Sequence, residues 1–393
     1  MAKNTKHSKR IDWVHRSCRL LGAISEEFET TLPFAGLTIG TGIHLEPKTV
    51  ALLLTLRTGG ARIVATGNLN STQTKTVDFL GENNIDVFAE TTMDADVHGQ
   101  SLVRILAEEP DMLLDNGGDL FARYLDNPYK GLLGGTEETT SGRMRLEPLR
   151  NKLDMPILVI NDSPIKQFAE NKHAVGQSVF ESYMRLTNRA TNGKRITVFG
   201  YGACGQGVAA CFRAAYSTVS VVDTNPVTTL SAHFDGFATP LRRAAIKNAD
   251  VIVTETGAAN IITADDIPDL KDGAILMNGG HFPTEIDVAG IKASPMVKEC
   301  VAYPEESIDS LHLADGRTIH ILGAGHMVNL SGPRPLGNSI ESMDIGFALQ
   351  ARCLERVAQT KGRSGSEGTG NCVVPVPIDI DARVAEDYLA LSR

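Results

Sequence analysis

The sequence predicts an α/β protein built from two doubly wound parallel sheets. Short β-rich apolar runs alternate with helical spacing almost throughout, as in Leu37–His44, Thr49–Leu56 and Ala61–Thr66. Such alternation places helices on both faces of a parallel sheet. The run Ile196–Phe199 leads into Gly200-Tyr-Gly202-Ala-Cys-Gly205, and an Ala-rich helix, Val208–Ala215, follows. The chain's 393 residues exceed one typical domain, so more than one core is expected.

Taken in order, Ile11–Glu27 carries helical apolar spacing at Val14, Cys18, Leu21 and Ala23. Alternation resumes at Leu37 and continues through Val77–Glu82, Asp86–Ala89, Val103–Glu108 and Met112–Leu114. Ile157–Ile160 is the next strand, and Val179–Ala190 is a helix before the second sheet. Val251–Val253, Ala274–Met277 and Thr318–Leu322 continue that sheet, Ser342–Gln359 is a long helix, and 361–371 reads as a polar linker. The expected division is 1–176 for one α/β domain, 177–332 for the second, and 333–393 returning to the first.

The glycine turn defines what the second domain binds. Gly200 permits the turn, Gly202 lets backbone approach a pyrophosphate, and Gly205 lets the helix pack closely. A second strand, Thr218–Val222, ends at Asp223, where an acidic side chain is expected to take a ribose hydroxyl. Thr224-Asn225-Pro226 brings no cation, so the Rossmann domain is expected to bind NAD rather than NADP.

Strand ends in the first domain are polar: His44-Leu-Glu46-Pro-Lys48, Asn68 to Gln73 with Thr72, Asp115-Asn116, and Asn161 to Asn171. One such cluster is a turn or a cap; four at carboxyl ends of one sheet are expected to form a site. A net charge of −9 argues against a nucleic-acid surface, and no apolar stretch is long enough to span a bilayer. A cytoplasmic protein acting on a small molecule is expected. The six cysteines lack metal-ligand spacing, and no His-x-x-x-His occurs, so no metal is expected.

The motifs GIHLEPKT, NSTQ, DNGGDL, TEETTSGRMRL, NDSPIKQFAEN, GYGACGQG, NGGHF with EID, and VNL stand in order along most of the chain. In this set the chain resembles the S-adenosylhomocysteine hydrolase (adenosylhomocysteinase) family in its short form. The resemblance implies bound NAD, oxidation of a nucleoside 3′-hydroxyl, loss of the C4′ proton, β-elimination at C5′, water addition and re-reduction. It implies that Lys166 and Glu170 act at the 3′-hydroxyl and that Glu138 holds the ribose hydroxyls. His44 matches the histidine at the 5′ end, and Asn278 and His281 match a pair where nicotinamide meets substrate. Thr139, Thr140, Ser141, Asn171, Asn329 and the Gly200, Gly202, Gly205 and Asp223 set match cofactor contacts. Glu46, Lys48, Thr72, Gln73 and Asn161 are the expected substrate contacts. Family members form homo-oligomers, dimer-built tetramers, and a dimer or tetramer is expected.

Four departures stand out. Asn116 replaces the family's catalytic aspartate and cannot carry a proton. The histidine that follows Asn-Leu in the family is absent from Asn329-Leu-Ser-Gly-Pro-Arg334, and Glu170 stands where Asp is usual. The sequence ends at Arg393, short of the family's C-terminal arm, which implies a looser hold on cofactor. The expectation therefore leans to a nucleoside dehydratase, which eliminates water to leave a 4′,5′-unsaturated nucleoside as in specialised antibiotic biosynthesis. The alternative is an S-adenosylhomocysteine hydrolase, and a third reading is a non-catalytic NAD-binding regulator.

Overall fold

The computed structural model describes residues 8–69, 71–92, 94–361 and 372–393. It divides into two compact units, Met1–Gln167 with Ile340–Arg393, and Phe168–Ser339. These junctions differ from the expected 176/177 and 332/333. Beyond Lys361, the expected linker lies outside the described residues.

The first unit holds a seven-stranded sheet. Its strands are β1 (Thr38–Gly42), β2 (Arg62–Thr66), β3 (Asp86–Val87), β4 (Met112–Asp115), β5 (Gly134–Glu137) and β6 (Ile157–Val159). The seventh strand, Val373–Pro375, pairs in parallel with β6. The order is Val373–Pro375, β6, β5, β4, β1, β2, β3, and every pairing is parallel. All polar strand ends of this unit therefore fall on one edge.

Two readings change here. The N-terminal helix is two helices, Ser8–Ser17 and Arg19–Thr31, broken at Cys18. Asp344 explains the break, because its carboxylate accepts from the backbone N–H groups of Leu20 (2.8 Å) and Leu21 (2.9 Å) and so starts a new helix. The break also rotates the buried stripe, so that Ile24 is in the core and Ala23 is exposed. β5 was not anticipated, since Gly134 and Gly135 are poor strand formers. It exists because a side chain at position 135 would collide with the Leu113 carbonyl of β4, so only glycine permits that approach.

The second unit holds another seven-stranded sheet: β7 (Arg195–Phe199), β8 (Thr218–Val222), β9 (Val251–Thr254), β10 (Ile275–Asn278), β11 (Val297–Tyr303), β12 (Ile308–Leu313) and β13 (Thr318–Leu322). Its order is β11-β12-β13-β10-β9-β7-β8, parallel except that β12 runs antiparallel to both neighbours. Side chains alternate between two cores. Ile196, Val198, Val251 and Val253 enter one with Phe212 and Tyr183, while Phe199, Ile252 and Leu276 enter the other with Ile267 and Ile319. A sheet buried on both faces is the doubly wound arrangement.

Across the Gln167/Phe168 junction the chain runs as the short helix Pro164–Lys166, a π-helix Gln167–Ala174, and the α-helix Val175–Thr187, the last part of the second unit's core. Wide π turns are rare and concentrate at functional sites. Among the described residues, no helix is long and apolar enough to cross a membrane.

Candidate active site

On the first sheet five adjacent strands, β6, β5, β4, β1 and β2, end in the polar clusters. After β1, His44 is half-buried and its Nδ1 lies 2.6 Å from Ser71 Oγ. Ser71 Oγ donates to the Asn68 carbonyl at 3.1 Å. A hydroxyl has one hydrogen, so Ser71 receives the Nδ1–H and the lone pair of His44 is on Nε2. That nitrogen is the one able to accept a proton.

Glu46 and Lys48 open the helix Pro47–Thr58 as a buried ion pair at 2.7 Å, their side chains 7% and 4% exposed. A pair so enclosed is fixed in place rather than solvated. Thr72 is buried with its hydroxyl toward the Asn68 carbonyl at 3.4 Å, and Gln73 flanks the start of Thr74–Glu82.

After β4, Asp115 accepts from the N–H groups of Asn116, Leu120 and Phe121, which caps the helix Asp119–Tyr124. Glu137, the last residue of β5, accepts from Gly117, Gly118 and Thr139. Burial pushes both carboxyls up, Glu137 to about 7, and their mutual charge adds to the rise of Asp115. These two acids build the loops on which the candidate residues stand. Asn116 is buried, and its Nδ2 donates to Glu138 Oε2 at 2.6 Å.

Thr139 is a cap. Its Oγ1 donates to Glu137 (2.8 Å) and accepts from Gly142 N (2.8 Å), so its single hydroxyl hydrogen goes to the fold and not to a ligand. Ser141 Oγ lies 3.1 Å from Thr139 Oγ1, and Thr140 is exposed. Following β6, Asn161 is buried with its carbonyl accepting from Gln167 Nε2 at 2.5 Å, and Lys166 is buried in the Pro164–Lys166 turn capped by Ser163.

In the second unit Glu170 and Asn171 are buried within the π-helix. The three glycines of the turn meet three different steric surroundings. Gly200 has φ +91°, and a side chain at Gly205 would collide with the Gly200 carbonyl. A side chain at Gly202 would meet nothing within 4 Å, so this position faces open space at the start of the helix Ala203–Ala214. Asp223 ties the turn to β8, accepting from Tyr201 N and Asn225 N at 2.8 Å each.

Asn278 does not present its amide to a ligand. It is fully buried: Nδ2 donates to the carbonyls of Gly280, Phe282 and Gly325, and Oδ1 accepts from Gly280 N and Thr254 Oγ1. It fixes the loop that carries half-buried His281. Asn329 is buried, donates to Ser178 Oγ at 3.0 Å, and keeps Oδ1 without a protein partner. Glu255, overlooked in the sequence, follows β9 beside this turn; its Oε1 also lacks a partner, and burial with the nearby Glu285 charge raises its carboxyl well above the usual range.

These features fit a dinucleotide: a glycine turn at positive φ, an open approach at Gly202, a helix N-terminus, an acid after β8, and an orphaned amide oxygen. The family model for the S-adenosyl-L-homocysteine hydrolase NAD binding domain matches residues 171–334, and the model for S-adenosyl-L-homocysteine hydrolase matches residues 3–127.

The chain belongs to the S-adenosyl-L-homocysteine hydrolase family.

Over 382 residues it is 36% identical to the adenosylhomocysteinase of Thermotoga maritima, covering 96% of this chain and 92% of that protein. It is 37% identical over 390 residues to the S-inosyl-L-homocysteine hydrolase of Methanopyrus kandleri, covering 96% and 88%. The adenosylhomocysteinase of Thermococcus kodakarensis is 35% identical over 388 residues, covering 97% and 90%. The chain is thus an NAD-dependent enzyme of this family, which removes the regulator reading. Among the described residues, no group of His, Cys, Asp and Glu side chains is arranged to hold a metal ion.

Proposed function

We propose that this enzyme acts on a purine nucleoside bearing a leaving group at C5′, by 3′-oxidation, C4′ deprotonation, elimination and re-reduction. In its first form the substrate is an S-nucleosyl-L-homocysteine, cleaved by water to the nucleoside and homocysteine. The activities named for the relatives support this form over the dehydratase. The observation that carries it is the row of strand ends, where His44, Asn116 and Glu138 follow closely on the adjacent strands β1, β4 and β5.

Bound NAD supplies the hydride acceptor and later its donor. Glu138 accepts from the sugar hydroxyls, and Lys166, aided by Glu170, takes the proton of the 3′-hydroxyl as hydride leaves. His44 Nε2 exchanges a proton with the group that leaves or enters at C5′. Glu46 and Lys48 line the substrate side with Thr72, Gln73 and Asn161. Asn171, Asn329, Asp223 and the glycine turn hold the dinucleotide, while Asn278 holds the loop of His281. A homo-oligomer, dimer or tetramer, is part of the same reading.

A second form, dehydration to a 4′,5′-unsaturated nucleoside, is favoured by one observation. Asn116 stands where the family has an acid, so a proton-carrying group that water addition uses is missing. One experiment separates the two. The NAD-loaded enzyme is given S-adenosyl- and S-inosyl-L-homocysteine with a thiol assay, and in parallel adenine nucleosides with a free 5′-type hydroxyl, read by mass spectrometry. Homocysteine release supports hydrolysis. Loss of one water without thiol release supports dehydration, and neither outcome with any nucleoside refutes both.

A further inference from the structure

Three side chains on the first sheet's carboxyl edge form a chain of hydrogen bonds that no reading above uses. Asn68 Nδ2 donates to the Asn116 carbonyl at 3.1 Å and to Asn116 Oδ1 at 3.2 Å. Asn116 Nδ2 donates to Glu138 Oε2 at 2.6 Å. All three residues are buried. The backbone carbonyl of Asn68 also receives the Ser71 hydroxyl, which in turn contacts His44 Nδ1.

We propose that Asn68 is a positioning residue that acts on two groups by separate atoms: its side-chain amide sets the face of the Asn116 amide turned to Glu138, and its backbone carbonyl, through Ser71, sets the tautomer of His44.

The direction of the chain is fixed at each link. Were the Asn116 amide turned over, its oxygen would meet a carboxylate and its NH2 would meet the NH2 of Asn68, so both contacts would become repulsive. The orientation seen satisfies both. Glu138 Oε2 is consequently an acceptor on this side and holds no proton there. An aspartate at 116 would behave otherwise, because two carboxyl groups at hydrogen-bond distance are stable only with a proton between them. Asn116, held in this orientation by Asn68, thus gives Glu138 a non-titrating partner where an aspartate at 116 would make a proton-sharing pair. The carboxylate is left to accept from ligand hydroxyls across the whole pH range in which it is ionised. The inference rests on the reading that Glu138 faces sugar hydroxyls and His44 the 5′ position.

The test compares wild type with Asn68→Asp, Asn68→Ala, Ser71→Ala and Asn116→Asp by calorimetric binding of adenosine and inosine from about pH 5 to 9 in the NAD-loaded enzyme. In Asn68→Asp the donor becomes an acceptor, so affinity is expected to fall about tenfold at alkaline pH and recover on the acid side, where the new carboxyl regains a proton. Asn116→Asp is expected to gain a pH step of the same sense. Asn68→Ala is expected to lose affinity by about the same factor without a new step. Ser71→Ala is expected to shift the pH dependence of turnover assigned to His44 while leaving binding near wild type. A purely architectural role for Asn68 would lower stability in every variant and add no pH step. Profiles of Asn68→Asp and Asn116→Asp that superimpose on wild type overturn the proposal. If wild type binds neither nucleoside, the substrate reading fails, and thermal unfolding then decides this inference alone. Asn116→Asp must lose stability relative to wild type as pH rises, and parallel curves overturn it.

Discussion

Gly202→Ala separates cofactor binding from folding. Position 202 has φ −65° and ψ −174°, a conformation that alanine adopts without strain, and the added methyl would meet no protein atom within 4 Å. Replacing an N-cap glycine by alanine costs about 0.5–1 kcal/mol, and the stiffer unfolded chain returns about 0.4–1 kcal/mol, so the NAD-free variant should match wild type within about 0.5 kcal/mol. In the proposed mode of NAD binding, the same methyl would occupy the approach of the pyrophosphate to backbone N–H groups. NAD at one hundred times its dissociation constant stabilises wild type by about 2.7 kcal/mol, and this increment should vanish. Gly207→Ala is the counter-case, because its methyl would overlap the Lys172 carbonyl and the packing of Gly176. Overpacking against rigid backbone costs about 1–3 kcal/mol, here in the NAD-free protein. The assay is denaturant unfolding of stripped protein with and without NAD, alongside NAD retained through gel filtration. A Gly202→Ala variant that keeps its NAD, or that unfolds early without it, refutes the division of tasks.

Three other outcomes follow from the geometry. Glu255 has its carboxyl raised, so its contribution to stability is complete below the usual carboxylate range and is lost as pH rises; Glu255→Gln should gain on wild type by up to about 1.4 kcal/mol per pH unit across that window, read by thermal unfolding at several pH values. Burial raises Asp344 to about 6, so stability from this residue is full below its ordinary 3.8 and lost between there and about 6; Asp344→Asn should remove that step and cost about 1–3 kcal/mol by turning an NH2 toward the N–H of Leu20 or Leu21. His44→Asn should slow release of the 5′ group by a factor of about 10² to 10⁴, yet still allow adenosine to reduce the bound cofactor, seen as near-ultraviolet absorbance of the reduced nicotinamide; loss of both steps together would remove His44 from the 5′ position.

The glycine turn was legible because each glycine answers a separate physical need written locally: a positive φ at Gly200, space at Gly202, and contact at Gly205. The row of polar strand ends was also legible, since alternation alone puts every carboxyl end of a parallel sheet on one edge. What escaped depends on pairing between distant segments. β5 is a strand by virtue of Leu113, and the hairpin of β11 and β12 turns on pairings such as Cys300 with Leu311. Asn278 and Thr139 look like ligand contacts in sequence because polar residues after strands usually are. Only the structure reveals that the Asn278 amide is taken by carbonyls of its own loop and of Gly325, and the Thr139 hydroxyl by the neighbouring Glu137 carboxylate and Gly142 N–H. Asn68 escaped for the converse reason, since its partner Asn116 is 48 residues away.

The parallel pairing of Val373 with Ile157 has a consequence for how the chain is made. The strand that completes the first sheet is translated about two hundred residues after the strand it joins. At about 5–20 residues per second, β6 therefore waits on the order of ten to forty seconds for its neighbour on the ribosome. During that interval the second unit, Phe168–Ser339, has left the ribosome whole and can fold. The first unit closes last, around a finished insert. Until then β6 is an open edge, the surface through which nascent chains are most prone to associate.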